Sequence, residues 1–177
     1  MKKFYVLFLL LLTMHVGLYA KSALKVTSGN ICEVLKDNAQ AIVQMDYSVT
    51  TWDYERSYEE FCGEEYEARV SNSNFAFTSA FNTHNPALKI NNFIESPKYI
   101  IVVKPINLDR SLNLMTGQAS IEFSGVIDIY DTATESVVLH VKVDEFEGDC
   151  DYVPNDRLNK CFAGLAEELV KLTKKCR

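Results

Sequence analysis

The chain has 177 residues and carries 24 Asp and Glu against 18 Lys and Arg, a net charge of −6. An acidic chain with no basic stripe argues against nucleic acid or anionic lipid as a partner. Its five cysteines include no CxxC pair, which removes the strongest redox-enzyme and zinc signals.

Met1–Ala20 reads as a signal peptide rather than part of the fold. Lys2 and Lys3 form its basic end, Phe4–Leu12 is unbroken apolar sequence, and Leu18-Tyr19-Ala20 offers a small residue for cleavage. The apolar stretch falls short of the ~20 residues that span a bilayer. No cysteine follows it closely enough for lipidation, so no membrane anchor is expected after cleavage. Cleavage leaves 16 basic residues against 24 acids, a net charge of −8. Residues 21–177 then suit a single domain with a real core, periplasmic or secreted. In such a compartment the cysteines can oxidise. The absence of Asn-x-Ser/Thr sequons fits a bacterial envelope protein.

In chain order, Lys21–Asn30 is polar, without periodicity, and reads as a loose lead-in. Ala41–Val49 alternates apolar and polar residues and predicts a strand. Ser57-Tyr58-Glu59-Glu60 has capping-box spacing, and Tyr58, Phe61, Cys62, Tyr66 and Val70 follow at helical intervals. Ser71–Asn74 predicts a bend or break before Phe77, Ala80 and Phe81 resume the pattern, and Pro86 ends it. Leu88–Ile90 suits a short edge strand.

Three strands follow: Tyr99–Leu108, Ser120–Tyr130 and Ser136–Glu145. The first opens on five apolar residues, Tyr99–Val103, as a strand covered on both faces would. The other two alternate, which gives one buried and one wet face. Asp109–Gly117 reads as a loop tip, and Asp131–Glu135 as a hairpin loop. Gly125 inside a strand marks a bulge or a close approach. After Pro154-Asn155-Asp156, a final helix carries Leu158, Cys161, Phe162, Leu165, Leu169 and Leu172 on one stripe. That stripe is expected to be the main cover of the sheet. The sum is an α/β (α+β) two-layer sandwich: a mixed sheet of four or five strands with an antiparallel meander, and helices on one face.

Several stretches together resemble a known group. They are Gly29-Asn30-Ile31-Cys32-Glu33-Val34-Leu35-Lys36, Ile42–Ser48, Tyr99–Lys104, Val126–Asp131, Val143–Gly148 and the closing Arg157-Leu158…Phe162-Ala163-Gly164-Leu165-Ala166…Leu169. The chain resembles uncharacterised exported proteins of Bacteroidota, whose layout is similar to the amino-terminal domain of TolB. The resemblance implies a two-layer α/β envelope domain and carries over no active residue.

Chemistry-bearing motifs are few. GxSxG, HExxH, P-loop and GxGxxG patterns are absent, and only His84 and His140 lie beyond the leader. No catalytic, cofactor or metal residue is expected. Asp144-Glu145-Phe146-Glu147-Gly148-Asp149-Cys150-Asp151 gathers acids around a glycine as calcium would need. It lacks the twelve-residue loop spacing, so a solvated strand end is favoured over a calcium site. The first half is rich in aromatics at core spacing. Trp52 and Tyr54, beside Asp53 and Arg56, fall instead in a turn between strand and helix, and Trp52, Tyr54 and Arg56 are the interaction candidates. The reading is a non-catalytic exported protein that binds another envelope component. The alternative is a small-ligand or glycan binder using the same loop, with a hydrolase behind both.

A disulfide between Cys150 and Cys161 is expected to pin the acidic loop to the final helix, against the rival that Cys161 is a buried thiol. Cys32, Cys62 and Cys176 then leave one further bridge and one free thiol, the pairing open.

Overall fold

The computed structural model describes residues 23–113, 118–147 and 157–176. The elements in order are β1 Leu24–Gly29, α1 Ile31–Leu35, β2 Gln40–Met45, β3 Thr51–Trp52, β4 Arg56–Ser57 and α2 Tyr58–Cys62. After a 3-10 turn at Gly63–Glu65 come α3 Tyr66–His84, β5 Lys89–Ile90, β6 Tyr99–Asn113, β7 Gln118–Asp131, β8 Ser136–Glu147 and α4 Arg157–Lys171. A 3-10 turn, Leu172–Lys175, closes the described chain.

The strands form one open mixed sheet, with main order β1-β8-β7-β6-β2-β5. β2 runs parallel to β5 and β6, while β6, β7, β8 and β1 are antiparallel neighbours. The small pair β3–β4 hangs on β6 through β3. The described sheet therefore has eight strands rather than four or five. The largest source of the difference is the polar lead-in. Leu24–Gly29 alternates only over Leu24–Thr27, yet it pairs with β8 along an edge, with Leu24 its one buried residue.

Both long helices lie on one face, as expected, and share its cover. α3 packs over β2 and β5, α4 over β7 and β8, and the helices touch each other. On α4, Cys161, Phe162, Leu165 and Leu169 are fully buried, with Phe162 edge-on to Phe123 at 5.6 Å between centroids. A side chain such as Phe162 contributes ~1.5–3 kcal/mol by leaving water. Tyr99, Ile101 and Val103 of β6 face the helices; Ile100 and Val102 are half-buried on the open face. The apolar run is thus covered on one face only, a correction to the expectation of two. Among the described residues no helix is long and apolar enough to cross a membrane.

Local signals place two breaks. Ser57 caps α2: its Oγ accepts from the Glu60 amide at 3.2 Å, and Glu60 accepts from the Ser57 amide at 3.2 Å. Gly63 ends α2 with φ 54°, a left-handed conformation that glycine adopts at no steric cost. The helical break therefore falls at Gly63, and α3 runs unbroken through Ser71–Asn74. There Ser73 is buried and donates to the Arg69 carbonyl at 2.8 Å, satisfying its hydroxyl within the helix.

β6 and β7 change register between Pro105 and Asn107, opposite Gly125. A Cβ on Gly125 would lie 2.3 Å from the Lys104 carbonyl oxygen, so glycine is required there. The segment expected as a loop tip continues β6 to Asn113; residues 114–117 lie outside the description. Cys32 of α1 is bridged to Cys176, with Cα atoms 5.7 Å apart across a sequence separation of 144. Lys36 donates to the Cys176 carbonyl at 3.2 Å beside it. Cys62 is a buried free thiol, pushed above its usual pKa by burial. Cys161 is buried, and its expected partner Cys150 lies outside the described residues, as does the start of the final helix at Pro154–Asp156.

Candidate functional site

The bulge at Pro105–Asn107 positions the best candidate site. Past it, Asn107 pairs with Thr51 and Leu108 with Trp52, which brings β3 alongside β6 in parallel. Asn107 is only 2% exposed, and its Oδ1 accepts from the Thr51 hydroxyl at 2.8 Å and the Tyr54 amide at 3.1 Å. The Asp53 amide donates to the Leu108 carbonyl at 2.9 Å, and the Glu55 amide to the Trp52 carbonyl at 3.1 Å. The Asp53 carboxylate accepts from the Arg110 amide at 3.1 Å, with the Arg110 guanidinium at 3.7 Å.

These bonds hold a backbone that L-residues avoid. Asp53 has φ 52° and Tyr54 φ 59°. Left-handed backbone costs a non-glycine residue roughly 1–2 kcal/mol, and a bulky ring there is an outlier. The hydrogen bonds that Asn107 and the Asp53 carboxylate accept offset that strain. The result is a hydrogen-bonded tip from which Tyr54 exposes 67% of its surface.

Beneath the tip the aromatics close up. Trp52 is 5% exposed and stacked on Phe61, centroids 4.0 Å apart and planes 6° from parallel. Arg56 lies 4.8 Å from the Phe61 centroid, Arg69 lies 5.8 Å from it, and Arg110 stands 5.8 Å from the Trp52 centroid. The three expected interaction residues therefore divide. Tyr54 and Arg56 are exposed, whereas Trp52 is core and offers no open ring face. Asn107, which sequence reasoning missed, is the residue that builds the turn. Its sequence signal is slight: a polar residue between Ile106 and Leu108, in a strand that also carries Lys104 and Asp109.

Acidic groups crowd the open sheet face behind the turn. Glu122 pairs with Asp109 on β6 and Glu147 on β8. Burial first, then the neighbouring Glu145, Asp109 and Glu147, raises the Glu122 carboxyl above its usual pKa. Burial and a hydrogen bond with Asp53 raise Asp109. No group of three His, Cys, Asp or Glu among the described residues is placed to hold a metal ion. Within the acidic run weighed for calcium, Asp144 pairs with Lys142 at 2.7 Å, while Asp149 and Asp151 lie outside the description. The two histidines are not brought together. His84 meets Glu167 across the helices at 3.3 Å, and His140 meets Asp128 on β7.

A second exposed region lies over the helix layer. Phe75 on α3 is 75% exposed, and Phe93, after β5, is 97% exposed. Both line a groove of about 550 Å³, with Val70, Ile90, Asn74, Asn91 and Asn92 among its other walls. The amides there are fixed. Asn92 accepts from the Val43 amide at 2.8 Å and donates to Asn74 at 2.9 Å, and Asn74 donates to the Val43 carbonyl at 3.2 Å. Side chains thus satisfy β2 where β5, two residues long, has ended.

No family model matches the chain, and no curated protein matches it in sequence. Among solved structures it is similar to the PelC dodecamer from Paraburkholderia phytofirmans, at 10% identity over 82% of this chain and 96% of that one, with a TM-score of 0.47. It is also similar to a neuraminyllactose-binding hemagglutinin homolog from Helicobacter pylori, at 9% identity over 80% of this chain and 84% of that one, with a TM-score of 0.37. Likenesses this slight carry no argument about what the chain does.

Proposed function

We propose that the protein is a non-catalytic, exported envelope protein, periplasmic or secreted, that engages another envelope component through the Tyr54 turn. One observation carries the reading. Two consecutive non-glycine residues, Asp53 and Tyr54, are held left-handed by a buried asparagine so that a tyrosine projects into solvent. Backbone strain that the surrounding structure over-determines is a mark of sites that act by presenting a group. An exposed tyrosine with a cationic neighbour, Arg56, is the chemistry of a protein-binding anchor. The leader Met1–Ala20 and the Cys32–Cys176 bridge both fit an oxidising compartment. The resemblance to exported Bacteroidota proteins of TolB-like layout fits the same compartment.

The test is site-specific cross-linking in the native cell envelope. A photo-reactive residue in place of Tyr54 is expected to give a discrete adduct that the same group in place of Glu135, in the β7–β8 turn, does not give. Identical adduct patterns from the two positions would refute the reading. A glycan reading that uses Trp52 as its platform loses its basis, because that ring is buried. What favours a glycan lies elsewhere.

A further inference from the structure

We propose that the groove between Phe75 and Phe93 binds a neutral, hydroxyl-rich oligosaccharide, independently of the Tyr54 turn. The two rings are the most exposed phenylalanines of the described chain, at 75% and 97%, and both line a concavity of about 550 Å³. A pyranose presents an apolar C–H face edged by hydroxyls. The rings supply the surface on which such a face stacks. Concavity of this size suits a small ligand better than a flat protein surface.

The polar rim fits hydroxyls. Each hydroxyl both donates and accepts, so it is best met by groups that do both, as amides do. Asn91 uses one amide hydrogen on Gln40 at 3.3 Å and accepts from the Phe93 amide at 3.2 Å. Asn92 likewise uses one hydrogen on Asn74 and accepts once, from Val43. Each therefore keeps one N–H and one acceptor position beyond its protein partners. Both amides are already immobilised, so binding costs little further side-chain entropy.

Charge selects the class of sugar. Among the described residues Glu67 is the one charged residue lining the groove, and no described Lys, Arg or His lines it. An anionic saccharide would find a carboxylate and no counter-charge, whereas a neutral one has no charge to desolvate.

Calorimetric titration of the exported, oxidised protein with maltohexaose, cellohexaose and laminarihexaose, and with the anionic hexagalacturonate, tests this. At least one neutral hexasaccharide is expected to bind, and hexagalacturonate is not. Phe75→Ala and Phe93→Ala are each expected to weaken binding about tenfold without lowering Tm, since both rings are already in water. Tyr54→Ala is expected to leave it unchanged. The proposal is overturned if none of the neutral sugars binds at millimolar concentration, if hexagalacturonate binds as well as they do, or if affinity survives both phenylalanine substitutions. It is also overturned if sedimentation shows self-association that Phe75→Ser abolishes, because the patch then belongs to a second copy.

Discussion

Two aromatic groups within one stretch of the chain, Trp52 to Phe93, have opposite fates. Trp52 and Phe61 stack at 4.0 Å, with Arg56, Arg69 and Arg110 ranged over the rings. Phe75 and Phe93 stand in water beside a groove. Position along the sequence suggested the reverse: Trp52 sits in a turn, and Phe75 sits on a helix at core-like spacing. The difference lies in what each ring meets. Trp52 enters through pairing of β3 with β6, a contact made far along the chain. Phe75 is on the outer face of α3, whose inner face is occupied by Phe77 and Phe81.

The contrast predicts a hierarchy of effects. Trp52→Ala is expected to cost ~3–5 kcal/mol in urea unfolding, as other buried large rings do. Phe75→Ala in the same assay is expected to stay within about 0.5 kcal/mol, as for an exposed site. Equal losses from the two would erase the distinction.

Next in size is the bridge. Cys32→Ala with Cys176→Ala frees a loop spanning a sequence separation of 144, and the expected loss is ~2–4 kcal/mol. Unfolding under non-reducing conditions reads it, and a midpoint equal to the parent's would contradict it. Asn107→Ala is expected to cost about 1–3 kcal/mol, because it leaves the Tyr54 amide without its acceptor and the Thr51 hydroxyl with only the Ile106 carbonyl at 3.3 Å. Hydrogen exchange at Tyr54 should accelerate in that variant.

The smallest effect is that of pH. Glu122 holds its proton more tightly folded than unfolded, so its charged form weakens the fold at neutral pH. That loss disappears as pH falls through its raised value. Asp37 and Asp46 run the other way. Hydrogen bonds from Lys98 and then Tyr99 lower Asp37, and bonds from Ser48 and then Lys104 lower Asp46. Their stabilisation is present above the ordinary carboxylate value of 3.8 and is lost as pH falls below it. Tm is therefore expected to rise slightly from neutral to about pH 5 and to fall below about pH 4. Glu122→Gln should shrink the rise, which the raised Asp109 also feeds, changing Tm by less than about 2 °C.

What the sequence made legible was local. The capping box at Ser57, the two-residue edge strand near Ile90, the close approach at Gly125 and the apolar stripe of α4 all rest on neighbours a few residues apart. What it hid was set by distant pairing. β1 is mostly exposed and finds its place by pairing with β8 and burying Leu24. Ser71–Asn74 has breaker composition, yet Ser73 bonds within the helix and Asn74 reaches Val43. The Cys32–Cys176 pairing and the role of Asn107 depend on chain separations that no local pattern encodes. At the candidate site, residue type and position pointed to Tyr54 and Arg56; only the burial of Trp52 separates it from them.

The central claim is that the turn is strained in order to present Tyr54, and Tyr54→Gly tests it most directly. Glycine accepts φ 59° without penalty, so the fold should hold or gain up to about 1 kcal/mol. The decisive measurement is the amount of native envelope partner that the variant retains, relative to the parent at equal folded concentration. The account predicts retention falling at least about tenfold while the urea midpoint does not fall. Unchanged retention by a protein of equal or higher stability would contradict it.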